Sequence, residues 1–221
     1  MNKRLTIAID GPAGSGKSTI ARRIAKKLDY LYLNSGAMYR AITLLAVHEG
    51  VPSTDVPMLV QLAHDCRIDF AENGQVTLLN GVDVSGKIRT PEVNRAVSEI
   101  SKIPELRHEI VKQQRELGAN GGIIAEGRDV TTVVFPNADL KFYLDASVEE
   151  RARRHFTALN AKGINYTLEQ MEENIRMRDE TDSSREHSPL RTAEDAIVID
   201  TTTKTINQVV AIIMEQIRKL I

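Results

Sequence analysis

Short apolar runs and helical stripes take turns along most of the chain. Leu5 to Ile9 reads as a buried strand. A helix is predicted after it, because Ile20, Ala21, Ile24, Ala25 and Leu28 share one face at the i, i+1, i+4, i+5, i+8 spacing. Further strands are predicted at Tyr30 to Leu33, Gly122 to Ala125, Leu140 to Leu144 and Ala196 to Ile199. Ser147 to Glu150 has the form of a capping box that starts a helix. Thr205 to Gln208 has it too, ahead of a stripe through Ile206, Val209, Val210, Ile213, Ile217 and Leu220. Five buried strands linked by helices predict an α/β fold: a parallel sheet with helices on both faces.

The rhythm breaks between Ile68 and Val84, where three short strand-like runs are separated by Asn73-Gly74 and Asn80-Gly81. Asn-Gly suits a type I′ turn, which needs positive φ at both positions, and a two-residue link joins only antiparallel strands. A small antiparallel three-stranded insert is therefore expected over about residues 65–90. Pro52 to Pro57 is the expected linker between helical segments.

With 221 residues, one α/β domain can bury a sizeable core without disulfides or a structural metal. A net charge of −1 argues against broad electrostatic capture of nucleic acid or of a membrane surface. Local arginine clusters must then supply any anion binding. Cys66, the single cysteine, reads as an ordinary core residue. The start of the chain lacks a signal peptide's apolar stretch, and no apolar run approaches the roughly 20 residues that span a bilayer. A soluble, cytoplasmic protein is expected, and the near-even charge favours a monomer.

Gly11, Pro12, Ala13, Gly14, Ser15, Gly16, Lys17 and Ser18 spell a phosphate-binding loop between the first strand and the first helix. Glycines let such a loop curl so that backbone N–H groups face phosphate oxygens, and the helix adds the positive end of its dipole. Lys17 would reach the β- and γ-phosphates of a nucleotide, and Ser18 would offer its hydroxyl to Mg²⁺.

The loop alone does not name a reaction. Neither an Asn-Lys-x-Asp guanine-reading motif nor a Leu-Ser-Gly-Gly signature is present. Arginines gather instead at the predicted C-terminal ends of strands, where open α/β sheets bind ligands. Arg40 follows Ser35 after the second strand, and Arg128 follows Glu126 after the third. Arg151, Arg153 and Arg154 fall on the helix begun at Ser147. If the later segment is helical, Arg178, Asp182 and Arg185 share a face at i, i+4 and i+7. Transfer of a phosphoryl group between two polyanions would use so many cations, because the two phosphates repel and charge spreads in transit. An acceptor phosphate needs no general base. Three activities stay open on these residues: transfer to a nucleoside monophosphate, transfer to another nucleotide or a hydroxylated metabolite, and a nucleotide-driven switch.

Several strings are more specific than the loop. They are Ile9-Asp-Gly-Pro-Ala-Gly-Ser-Gly-Lys-Ser-Thr19, Ser35-Gly36 with Tyr39-Arg40, Asp83 to Thr90, Gly127 to Pro136, Leu144 to Ser147, and Arg178-Asp179 with Asp182, Arg185 and Pro189-Leu190. With these the chain closely resembles the bacterial cytidylate kinases, nearly end to end. The resemblance implies a single P-loop kinase domain over 1–221, with an acceptor region at about 35–115 and a lid at about 148–187. It implies ATP as phosphoryl donor, with Mg²⁺, and CMP or dCMP as acceptor, in pyrimidine nucleotide metabolism. Carried over residue by residue, the P-loop with Thr19 and Arg154 would hold ATP. Arg40, Arg128 and Arg185 would hold the acceptor phosphate, beside Ser35, and Lys17, Arg128, Arg178 and Arg185 would act in transfer. Ser98, Arg107 and Asp129 would read cytosine, and Asp182 would hold the ribose. Two positions depart from the family pattern. Asn34 stands where aspartate is common before Ser-Gly, and Glu126 stands where aspartate often precedes Gly-Arg-Asp. Glu126 could still orient a Mg²⁺-bound water.

Overall fold

In the computed structural model, which describes residues 4–161 and 166–221, the strand that leads into the glycine-rich loop is the centre of the molecule. This strand, β1 (Thr6–Asp10), is flanked by β6 (Ile123–Gly127) and β7 (Leu140–Asp145). Then β2 (Leu31–Asn34) and β8 (Ile197–Asp200) form the edges, in the order β2-β6-β1-β7-β8. All four pairings are parallel. Side chains alternate across a strand, so Ile7 and Ile9 enter one core while Ala8 enters the other. Helices α1 (Lys17–Leu28) and α8 (Ile206–Arg218) cover the first face, with Ile20, Ile24, Ile213 and Ile217 buried against Phe142. Helices α2 (Ser35–His48), α3 (Val56–Asp65), α4 (Pro91–Ile100) and α5 (Pro104–Leu117) supply the core on the other face, through Met38, Ile42, Leu59, Ile100, Leu106 and Ile110. This is the doubly covered parallel sheet that the apolar runs predict.

Each strand ends one or two residues later than its apolar run. Asp10, Asn34 and Gly127 continue the ladder because its hydrogen bonds join backbones, not side chains. The consequence is functional: these polar residues stand at the rim of the sheet rather than in loops beyond it.

The insert is present as the antiparallel sheet β3 (Ile68–Ala71), β4 (Val76–Leu79) and β5 (Val82–Asp83). Asn80 and Gly81, at φ 51° and 79°, make the expected two-residue turn. The other link differs. Ala71 pairs with Val76, so four residues intervene, and Glu72, Asn73 and Gly74 all take positive φ in a short 3₁₀ turn. Ile68, Leu79, Val84 and Ile88 anchor the insert in the same core as α2, and buried Cys66 lies there too, its thiol pushed up to about 11 by burial. The expected linker is also shifted, because Pro57 lies in the first turn of α3, where a missing N–H costs nothing.

Helices α6 (Val148–Asn160) and α7 (Leu168–Ser183) enclose a small third core of Ala152, Met171 and Ile175 against Ala13 of the loop. Residues 162–165, inside the expected lid, lie outside the described residues, as do 1–3. Of the predicted capping boxes, Thr205–Gln208 is complete. Ser147 receives only the Glu150 N–H, because the Glu150 carboxylate turns instead to Arg153 and Arg154. A second complete box, Thr167–Gln170, opens α7.

Candidate active site

The sheet brings four segments to one edge. Asp10 is in register with Gly127 and Tyr143, and Asn34 with Glu126. The loop after β1, the start of α2, the turn after β6 and the end of β7 therefore surround one mouth, at the carboxyl ends of the strands.

Gly11 has φ 147°, and a Cβ on it would come within 2.0 Å of the Leu144 carbonyl, so only glycine lets the loop leave β1 beside β7. Lys17 is buried at the start of α1 and donates to the Pro12 carbonyl at 2.7 Å and to Ser15 Oγ at 3.4 Å. Burial, and then the nearby Arg128 charge, bring its amine down to about 7. Ser18 donates to Glu126 Oε1 at 2.7 Å, whereas Thr19 is exposed. Arg154 reaches the loop from α6, donating to Gly14 O at 3.3 Å and to the Thr201 carbonyl at 2.7 Å.

The acceptor-side residues converge on one carboxylate. Arg128 Nε donates to Asp182 at 2.7 Å, and Arg185 donates to its other oxygen. Burial would raise the Asp182 carboxyl, but Arg128 and Arg185 outweigh it and hold it below its ordinary value. The expectation of a single helical face is corrected here. Helix α7 stops at Ser183, and Arg185 lies past its end, reaching back to Asp182. Arg178 keeps much of its surface exposed, yet lost hydration in the cleft and then the Arg128 charge lower it to about 10, with Arg40 and Arg185 contributing. Arg40 donates to the Ile88 carbonyl and to Asn94. Ser35, buried at the start of α2, sits against Gly127, where a Cβ would come within 2.4 Å of its hydroxyl oxygen.

Behind the phosphate region Arg107 forms a buried ion pair with Asp129, donates to the Ser101 carbonyl at 2.9 Å, and lies 5.0 Å from the Tyr39 ring centre. Ser98 is exposed on α4, one turn before Ser101.

Other groups in this mouth carry no obvious sequence signal. Asp10 accepts from Val130 N, Thr131 N and Thr131 Oγ1, which fastens the π turn after Asp129, and burial pushes its carboxyl up to about 6. Arg151 is buried and joins Ala13 of the loop to Asp179 of α7. Its position in a run of three arginines on α6 was visible, but its partner was not. Tyr32 donates to Glu126 Oε1 at 3.0 Å and accepts from Asn34. Burial, and then the Arg178 charge, keep His155 on α6 below the ordinary imidazole value.

Among the described residues no cluster of three or more His, Cys, Asp or Glu could hold a metal alone. The adjacent oxygens of Ser18 and Glu126 nevertheless suit a hard cation that takes most of its ligands from phosphates and water. No described helix is long and apolar enough to cross a membrane.

Comparison with known proteins agrees with this architecture. The family model described as cytidylate kinase matches residues 7–219. A cytidylate kinase of Geobacillus sp. (strain WCH70) is 47% identical over 223 residues, covering 100% of both chains. One of Bacillus thuringiensis (strain Al Hakam) is 48% identical over 217 residues, covering 97% of this chain and 96% of that one. A crystal structure of an uncharacterized protein from Eubacterium ventriosum shares the fold, with a TM-score of 0.53 at 10% identity over 97% of this chain and 99% of that one.

Proposed function

The chain belongs to the cytidylate kinase family, and from that premise we propose how its residues divide the work. The reaction is transfer of the γ-phosphoryl group of ATP to CMP, giving ADP and CDP. The observation that carries the assignment of residues is the convergence of Arg128 and Arg185 on Asp182, with Arg178 and Arg40 beside them and Lys17 across the mouth.

The P-loop amides, Lys17, Thr19 and Arg154 bind ATP, and Ser18 with Glu126 meets the Mg²⁺ that accompanies it. Bound there, Mg²⁺ would neutralise charge on the transferred group. Arg40, Arg128 and Arg185, beside Ser35, hold the acceptor phosphate in line with the donor. Arg128, Arg178, Arg185 and Lys17 offset the charge that spreads over the equatorial oxygens. The acceptor is already an oxyanion, so no side chain has to remove a proton.

Asp129 accepts from the exocyclic amine of cytosine, supported by Arg107 and by Ser98. Uracil would set a carbonyl against this carboxylate, a buried mismatch of about 1–3 kcal/mol, enough for a tenfold or larger preference. Asp182 takes the ribose. The acceptors include dCMP, which keeps the base and the phosphate. Helices α6 and α7, around their own small core, form the lid of region 148–187 that excludes water during transfer. Residues 35–115 form the acceptor region. The protein works in the cytoplasm as a monomer on small nucleotides, and its net charge of −1 suits neither nucleic acid nor membrane.

The test is ADP release from Mg·ATP with CMP, dCMP, UMP, AMP and GMP offered separately, for the wild type and for Arg128→Ala. Fast release is expected with CMP and dCMP and much less with the others, and a loss of at least about a hundredfold in the folded variant. Near-normal turnover by Arg128→Ala would remove Arg128 from the transfer step.

A further inference from the structure

Three hydrogen bonds run in one direction from the start of α2 to Glu126, where they meet a fourth that comes from the P-loop. The Ala37 N–H can only donate, and it donates to Asn34 Oδ1 at 2.9 Å. That fixes the Asn34 amide, so its Nδ2–H₂ points at the Tyr32 hydroxyl, 3.0 Å away. Tyr32 accepts there, and its single proton goes to Glu126 Oε1 at 3.0 Å. The same oxygen accepts the Ser18 proton at 2.7 Å. Local geometry explains the alignment. Tyr32 and Asn34 are two residues apart on β2 and so share a face, and Asn34 is in register with Glu126 on the neighbouring strand. Tyr32 is 1% exposed, so its hydroxyl takes its partners from within the protein.

We propose that Asn34 and Tyr32 are positioning residues that lock Glu126 as the acceptor of the Ser18 proton, so that the Ser18 oxygen presents only lone pairs to the nucleotide's divalent cation. This rests on the assignment of Ser18 to that cation. The two departures from the family pattern then belong together. An aspartate at 34 could accept from Ala37 but could not donate to Tyr32. The phenol's one proton would be contested by two carboxylates, and two like charges would face each other across it. Asparagine turns the phenol's proton towards Glu126. Glutamate, one methylene or about 1.5 Å longer than aspartate, reaches both the phenol and Ser18.

The experiment is calorimetric titration with ATP, once with Mg²⁺ and once with EDTA, on the full chain. The ratio of the two affinities is the cation's share. Variants are Asn34→Asp, Tyr32→Phe, Ser18→Ala and the double variant Ser18→Ala with Asn34→Asp, each checked for folding by thermal unfolding. Asn34→Asp and Tyr32→Phe are each expected to cut the cation's share about tenfold, as for a hydrogen bond to a charged group, and to leave affinity in EDTA within about twofold. Ser18→Ala should abolish the share, and adding Asn34→Asp to it should then change nothing. The relay is overturned if both relay variants keep the full share, or if Asn34→Asp weakens binding equally with and without the Ser18 hydroxyl. A full share retained by Ser18→Ala would instead overturn the Ser18 assignment itself.

Discussion

Lys17 sets up a proton-coupled binding event that can be measured directly. In the unliganded protein its amine is buried, and it titrates at about 7 rather than at its usual 10.5. Burial causes most of this, and Arg128 adds to it against the opposing pull of Glu126 and Asp10. At pH 8 such a group is about nine-tenths deprotonated. Bound phosphates would place negative charge next to the amine and return it to the ammonium form. Binding of Mg·ATP at pH 8 should therefore take up about 0.9 proton per site. Titration calorimetry in buffers of differing ionisation enthalpy reads this number as the slope of apparent enthalpy against buffer enthalpy. The slope should collapse in Lys17→Met.

The same shift has a second consequence, with its own sign. Lys17 is depressed in the folded state, so between about 7 and 10.5 the unfolded chain binds more protons. The unliganded wild type should gain stability relative to Lys17→Met as pH rises through that window. A slope near zero at pH 8, together with a pH-independent stability difference, would show that Lys17 stays charged in its pocket and refute the reasoning.

Asp10→Asn keeps the size of the side chain but turns an amide N–H₂ towards donors that now share a carboxylate, Val130 N and the two Thr131 groups. It should cost about 1–3 kcal/mol in chemical denaturation and raise the KM for CMP, because the turn holding Arg128 and Asp129 loosens. An unchanged midpoint would assign those donors to other partners. Asp129→Asn gives the base pocket an N–H₂ that can donate to a carbonyl, so the ratio of kcat/KM for CMP over UMP should fall at least about tenfold. A constant ratio would remove Asp129 from base selection, whatever the variant loses in stability through its broken pair with Arg107.

What could be read from the chain follows the range of the interactions involved. The P-loop, the individual strands and the insert's tight turn are signalled by near neighbours: the Gly-rich turn, the apolar run of β1, the positive-φ pair at Asn80 and Gly81. The partners of charged groups are set by the folded sheet and lie far apart in sequence. Ser18 and Glu126 are 108 residues apart, and Arg128 and Asp182 are 54 apart. Asp10 looks like an ordinary strand end until Thr131, 121 residues on, is packed against it. Even the local errors have this origin. The Asn73-Gly74 link is longer than two residues because Gly74 is pressed against the Tyr32 backbone of the main sheet, where a Cβ would come within 1.9 Å of its carbonyl oxygen.

The arrangement of the mouth bears on how a nearly neutral protein can bind two polyanions. Arg40, Arg128, Arg178 and Arg185 repel one another, as the lowered Arg178 shows. Without a counter-ion, that repulsion would work against the closeness of α7 to the β6 turn. Asp182 supplies the counter-ion from within, accepting from Arg128 on one oxygen and from Arg185 on the other. Arg151 and Asp179 repeat the device one turn earlier in α7, tying it to the P-loop at Ala13. On the assignments proposed above, an arriving acceptor phosphate meets the Arg128 and Arg185 guanidinium groups already largely buried and held in place by Asp182. Binding is then an exchange of partners, in which Arg128 passes from a carboxylate to a phosphate while Asp182 turns to the ribose. Arg128 thus keeps one anion throughout, so the site avoids both the rehydration of a free cation and the ordering of its long side chain at the moment of capture. Selectivity for a complete nucleotide follows as well, because a free phosphate would leave the Asp182 oxygen that Arg128 had held without a donor once Arg128 has moved.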